Sequence, residues 1–193
     1  MTDNIWIQKI TELCAEYNVG VSSQMEDFFK AYADNDAPAS TQHHLAKEFG
    51  NWEHIYNVCK SALMLNKVFN LGYSEYSIVK VCLCHDIEKF ENKAVPNVLK
   101  SGKVSEAKPY VYPKEGVFLG HGVTSLIEGL KYFSMDGLEK QAVLMHMAMY
   151  SYELDTDTIK DRMTRFTKLI HFADDISASL IEESFQDKKK GDE

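Results

Sequence analysis

The chain has 193 residues, 21 Lys plus Arg against 29 Asp plus Glu, a formal net charge of −8 and a 45% hydrophobic share. That length suits one domain whose core buries roughly 70% of the unfolded surface, and the composition excludes a disordered or fibrous chain. No apolar run approaches the ~20 residues of a membrane span, no secretory signal is visible after Met1, and the acidic balance argues against broad nucleic-acid binding, whose phosphate contacts come from Lys and Arg.

Ile5, Ile7, Ile10, Leu13 and Cys14 recur at helical steps and predict a first helix that Gly20 breaks. A second helix is expected from Ser22 or Ser23 to Ala33, with Met25, Phe28, Phe29 and Tyr32 on one face. A loop at Asp36–Thr41 precedes a helix over 51–69, with Asn51 as N-cap and Gly72 as stop. Ser74 is expected to cap a helix carrying Ile78, Val81, Cys82 and His85. Residues 92–118 mix Pro, Gly, Lys and Tyr without a period and predict a long loop or short irregular pieces. Helices resume over 120–133 and 137–152, the second opened by the capping-box spacing of Asp136 and Glu139, and a last helix spans 158–185. The fold class is all-α in one structural domain: N-terminal helices over 1–35 packed on a core over 36–185, with 186–193 a frayed tail.

Cys14, Cys59, Cys82 and Cys84 form no C-x-x-C pair and read as reduced thiols of a cytoplasmic protein. Seven histidines, at 43, 44, 54, 85, 121, 146 and 171, stand out from an otherwise ordinary composition. His85-Asp86 ends the apolar run Val79–Cys84, and a His and an Asp leaving a buried helix together need partners, because an unpaired buried charge is costly. A divalent ion would satisfy both, completed by groups from other helices. His54, His121, His146 and the pair Asp174-Asp175 each stand on a separate predicted helix. Any one helical histidine, taken alone, is more often a packed core or surface residue; one acid or imidazole on each helix after residue 50 is hard to attribute to chance.

The order His54, His85-Asp86, His121, His146, Asp174 resembles the HD-domain metal-dependent phosphohydrolases. Pro38–His44 followed by Gly50-Asn-Trp-Glu-His54 resembles that family's His-containing segment before Gly-Gly-Leu-Leu-x-His. Cys84-His-Asp-Ile-Glu-Lys89 is similar to its His-Asp-Ile-Gly-Lys, Tyr112–Gly122 to the loop entering its third histidine, and Leu169–Ser177 to its final His-x-Ala-Asp motif. The likeness spans roughly 36–180 and includes stand-alone bacterial and phage hydrolases and the catalytic part of a 3′-to-5′ exoribonuclease. Three positions depart from the pattern: Asn51-Trp52-Glu53 replace Gly-Leu-Leu, Glu88 replaces Gly, and Met147 leaves His146 the sole ligand candidate at the fourth position.

The resemblance implies an HD-type helical bundle in which His54, His85, Asp86 and Asp174 bind one metal, and His121 and His146 a second, with Asp86 bridging. One or two ions are expected, and Mn, Fe, Mg, Ni, Co and Zn are all compatible with such ligands. The site would polarise a phosphoryl oxygen and acidify water. Asp86 is then catalytic, and Lys89, one turn beyond His85, would neutralise a substrate phosphate or else be a solvated helix-end lysine. The resemblance also favours His44 as a substrate-side group, against a solvated His43-His44 pair. Asp175 reads as structural and could pair with His171 one turn earlier.

Lys93, Lys100, Lys103, Lys108 and Lys114 make the 92–118 segment locally basic, and Tyr110 or Tyr112 could stack a base; Lys108 and Tyr112 are therefore substrate-binding candidates, with solvated charge and loop packing as the plain alternatives. The alternating methionines at 145, 147 and 149 read as core filling rather than soft-metal ligands. The expected function is metal-dependent hydrolysis of a phosphate ester or anhydride of a nucleotide. The alternatives are a phosphodiesterase or exonuclease on short RNA or cyclic nucleotides, and a catalytically silent HD module that binds a nucleotide or a partner. The expected partner is a small anionic nucleotide, with no extended nucleic-acid track and no membrane; homo-oligomerisation is left open.

Overall fold

The computed structural model describes residues 3–115, 119–148 and 161–182. Its helices are α1 (Ile5–Glu16), α2 (Ser23–Tyr32), α3 (Gly50–Val68), α4 (Glu75–Cys84), the single turn α5 (Glu88–Glu91), α6 (His121–Tyr132), α7 (Gly137–Met145) and α8 (Arg165–Ile176), which runs on into a π-helical turn at Ser177–Ile181. The only sheet among the described residues is a two-residue antiparallel ribbon, β1 (Val95–Pro96) with β2 (Tyr110–Val111). The chain is thus all-α, and none of its described helices is long and apolar enough to cross a membrane.

Helix starts follow local chemistry. Asn4, Ser22, Ser74, Asp136 and Thr164 each accept a hydrogen bond from a first-turn backbone N–H, and Asp136 with Glu139 completes the expected capping box. Thr164 corrects the last helix: 161–162 are helical, the helix is broken at 163–164, and α8 begins afresh at Arg165. Asn51 is also not the N-cap of α3, which opens one residue earlier behind Phe49 in a left-handed conformation (φ 56°). Gly50 is required there, since a Cβ would sit 2.1 Å from the Leu45 carbonyl oxygen. This close approach seats the loop carrying His43 and His44 on the start of α3. Residues 92–115 are more ordered than a plain loop: besides β1–β2, Val98 bridges Val104 and Leu99 donates to the Lys103 carbonyl. The expected helical residues 149–152, 158–160 and 183–185, and the 186–193 tail, lie outside the described residues.

α3 is the axis of the core, packed against α1, α4 and α8, while α7 packs against α6 and α8. Met25, Phe28, Phe29 and Tyr32 are buried as expected, and Phe28 contacts the rings of Trp52, Tyr132 and Phe133. Fully burying such side chains contributes roughly 1.5–3 kcal/mol each. The Trp52 indole N–H donates to the Tyr32 carbonyl at 3.1 Å, which satisfies its one polar atom inside the cluster.

Candidate metal centre

α3 is buried nearly all round, and its two flanks do different work. Trp52, Ile55 and Cys59 join the apolar core, whereas His54, Asn57 and Ser61, at helical spacing, face the end of α8 and its π turn. α4 ends at Cys84, so His85 and Asp86 leave the helix in a turn, buried to 0% and 1% exposure. α6 begins at His121, and α7 ends with His146 at its C-cap. Gly122 brings these two ends together, because a Cβ there would lie 2.2 Å from the Leu144 carbonyl oxygen.

Asp86 is the hub. Its Oδ1 lies 2.8 Å from His121 Nε2 and 3.6 Å from His146 Nε2. Its Oδ2 lies 3.4 Å from His54 Nε2 and 3.6 Å from His85 Nε2, and is ion-paired to Lys89. His54 Nε2 is 3.0 Å from Asp174 Oδ1, and the Nε2 atoms of His121 and His146 are 3.2 Å apart. Each oxygen of one carboxylate therefore faces a different pair of imidazoles.

The far nitrogen of every ring is occupied. His85 Nδ1 donates to the Cys82 carbonyl and His146 Nδ1 to the Val143 carbonyl, both at 2.7 Å. His54 Nδ1 donates to Glu182 at 2.9 Å, and His121 Nδ1 to Glu88 at 3.0 Å. Carbonyls and carboxylates only accept, so Nδ1 keeps its proton and Nε2 is the nitrogen turned to the centre, from which an ion would displace any second proton. This outer hydrogen bond is the arrangement that orients metal-binding histidines. His85 Nε2 is buried with no hydrogen-bond partner, an orphan that a cation would satisfy. Ligand atoms about 2.1 Å from one ion lie roughly 3.0–3.4 Å apart, and the 2.8–3.6 Å separations above bracket that range. His54, His85 and Asp174 form one set of converging donors, and Asp86, His121 and His146 a second. Both sets suit a divalent cation with nitrogen and oxygen ligands.

The electrostatics follow from packing. Burial lowers the His85 pKa to about 4, so this ring is neutral at pH 7. Burial also opposes protonation of His54 and His121, but Glu182 and Asp174 raise the first to about 10, and Asp86 and Glu88 raise the second to about 9. Burial works against ionising Asp86, yet Lys89 and the surrounding imidazoles hold it well below the usual carboxylate range. Lys89 is likewise opposed by burial and raised by Asp86, so it remains an ammonium.

The six expected ligands, His54, His85, Asp86, His121, His146 and Asp174, are brought together. Lys89 is not a solvated lysine but Asp86's ion-pair partner, and its charge is felt by Tyr112. His44 joins the centre through Glu182 at 2.5 Å, whereas His43 is exposed. Lys108 is not brought there: it is exposed on the ribbon, its carbonyl accepting from Asn97. Lys100, Lys103 and Lys114 are exposed too, and Lys93 pairs with Asp36, so the segment does not form a basic lid over the described pocket. His171 does not pair with Asp175; it donates to the His146 carbonyl at 2.8 Å, while Asp175 accepts from Ser179.

Three residues that the sequence did not single out as functional complete the centre. Glu88, a mere departure from the family pattern, anchors His121. Asn51, another departure, donates to the Asp86 carbonyl at 3.3 Å. Glu182 binds His44, His54 and Asn57 at once, and no periodicity marks it: eight residues at 100° each place it about 80° around an α-helix from Asp174. Beside the centre lies an open pocket of about 500 Å³ lined by His44, Lys89, Met147, His171, Asp174 and Asp175, among others. Compared with known proteins, the chain matches no family model, no curated protein and no solved structure.

Proposed function

We propose that this chain is a metal-dependent phosphohydrolase with an HD-type helical bundle, cleaving a phosphate ester or anhydride of a nucleotide with water. The observation that carries the reading is the divided carboxylate of Asp86, with four Nε2 atoms converging on its two oxygens while every Nδ1 is engaged elsewhere. His54, His85, Asp86 and Asp174 would hold one ion, and Asp86, His121 and His146 a second. A divalent ion there supplies Lewis acidity toward a phosphoryl oxygen and acidifies water at neutral pH.

The chain's own groups define the rest of the chemistry. Lys89 lies at the edge of the pocket as a permanent ammonium, suited to balancing a phosphate and unsuited to removing a proton. His44 and His171 line the same pocket and offer further polar contacts to an anion. The described part of the pocket carries one lysine and no arginine, and the chain's charge is −8, which favours a small nucleotide over a polynucleotide track. Four free, buried thiols suit a reducing, cytoplasmic setting.

The test is metal content after purification without chelator, followed by a screen of nucleoside mono-, di- and triphosphates, cyclic nucleotides and short RNA with Mn, Mg, Co, Ni, Zn and Fe in turn. Phosphate release from a mononucleotide that requires the ion is the expected result. Release only from RNA or cyclic nucleotides would replace this reading by a phosphodiesterase. Failure to bind any divalent ion would sink both and leave a silent binding module.

A further inference from the structure

Glu182 ends the π-helical turn after α8, and its carboxylate is wholly buried. Three side chains from two other segments meet it: His44 Nδ1 at 2.5 Å, His54 Nδ1 at 2.9 Å and Asn57 Nδ2 at 3.0 Å. A buried carboxylate without such donors would be expensive, so the position is built around it. The wide turn delivers it there. Glu182 N–H donates to the Ser177 carbonyl, five residues back, and Ser177 is tied to the Ala173 carbonyl and to Ser61 on α3. His54, Asn57 and Ser61 thus form one stripe of α3 gripped by the end of α8, in keeping with the frequent occurrence of π turns at functional sites.

We propose that Glu182 is the positioning residue of the centre: by accepting the Nδ1 proton of His54 it fixes that ring with Nε2 aimed at Asp86 and Asp174, and by binding His44 it holds a second imidazole at the rim of the pocket. This rests on the metal reading above and names a residue that the ligand motif does not contain. A carboxylate behind a ligating histidine sets its tautomer and ring plane and raises its basicity, and losing such a partner typically costs ~10–100-fold in metal affinity. His44, His54 and Glu182 also converge closely enough to hold an ion of their own. That use would strip the Nδ1 proton from His54 while its Nε2 faces the main centre, so the hydrogen-bonded arrangement is favoured.

The test compares Glu182→Gln and Glu182→Ala with the wild-type full chain, and with Phe28→Ala as an equally folded but destabilised control remote from the centre. In chelator-treated protein, the His54 Nδ1–H resonance is expected far downfield and protected from exchange. It should move upfield in Glu182→Gln, vanish in Glu182→Ala and persist in Phe28→Ala. Calorimetric titration with Mn²⁺ or Zn²⁺ should show affinity falling ~10–100-fold in Glu182→Ala and less in Glu182→Gln. A retained downfield proton in Glu182→Ala, or affinity within about twofold of wild type, overturns the proposal; so does the loss of one whole ion from the stoichiometry, which would make Glu182 a ligand. If the wild type binds no ion, the hydrolase reading fails, and the Nδ1 resonance alone decides whether Glu182 positions His54.

Discussion

Two regions of this protein lie against the same helix and are built on opposite principles. Around Phe28, the rings of Trp52, Tyr32, Tyr132 and Phe133 pack with little polar matter between them, and the stabilisation comes from area removed from water. Around Asp86, His54, His85 and His146 are buried and His121, Asp174 and Lys89 half-buried, and each tolerates its loss of water only because the others satisfy it. α3 belongs to both, presenting Trp52 to one and His54 to the other. The first region should therefore respond to lost volume and the second to lost charge.

The sharpest way to break that contrast is at Asp86. Asp86→Ala should drop hydrolysis to the uncatalysed background, a larger loss than the ~10–100-fold typical when a ligand's supporting partner is removed, while circular dichroism shows the helices intact. Activity that survived on every phosphate ester would break the assignment of the centre. Phe28→Ala should do the reverse. A phenylalanine cavity costs roughly 3–5 kcal/mol, which at about 2–4 °C per kcal/mol lowers Tm by roughly 6–20 °C, with turnover per folded molecule unchanged. If kcat fell with Tm, the two regions would not be separable.

Proton linkage offers a subtler distinction, confined to the Asp86 region. In chelator-treated protein the folded pKa values of His54 and His121 are about 10 and 9, burial opposing and the carboxylates prevailing. Their folded states bind protons more tightly than the unfolded chain, so this stabilisation is complete below about pH 6.5 and is lost as pH rises through both values. His85, lowered to about 4 by burial, acts oppositely: stability falls as pH drops from about 6.5 to 4. Glu182 and Asp174 are lowered carboxylates, burial again opposing and His54 prevailing, and their contribution fades as pH falls below about 4. Thermal melts with chelator should peak near pH 6.5, and added Mn²⁺ or Zn²⁺ should flatten the alkaline decline, because an ion needs deprotonated imidazoles. An alkaline arm indifferent to metal would count against the centre.

The smallest effect concerns thiols in the apolar core. Burial, then Cys59, pushes Cys14 up to about 12; the hydrogen bond with Cys82, then burial, raises Cys59; and burial raises Cys84. These thiols stay protonated, so a thiol reagent at pH 8 should label the native protein far more slowly than the denatured chain, which exposes all four cysteines. Rapid native labelling would show that this core opens readily.

Legibility in the sequence tracks the same division. The buried face of α2, the Ser74 cap and the Asp136–Glu139 capping box depend on neighbours within a few residues, and each could be read directly. Other features depend on how the chain folds back on itself. α3 starts at Gly50, where the preceding loop brings the Leu45 carbonyl too close for a Cβ, and the ribbon of β1 and β2 pairs residues on either side of a long, aperiodic stretch. In the site, five of the six ligand candidates sit in short motifs and His146 stands only in their order along the chain, whereas Lys108 owes its place to a local excess of lysine, which the structure disperses into solvent.

By itself, the sequence determined an all-α chain with one acid or imidazole on each of its later helices, because helical period, capping and residue type are local properties. Only the tertiary structure decided that these groups converge on Asp86, that Glu88 and Glu182 stand behind His121 and His54, and that Lys89 pairs inward. Hydrogen bonds between residues 33 to 138 positions apart depend on how helices cross, and crossing is set by packing of the whole core rather than by any stretch of the chain.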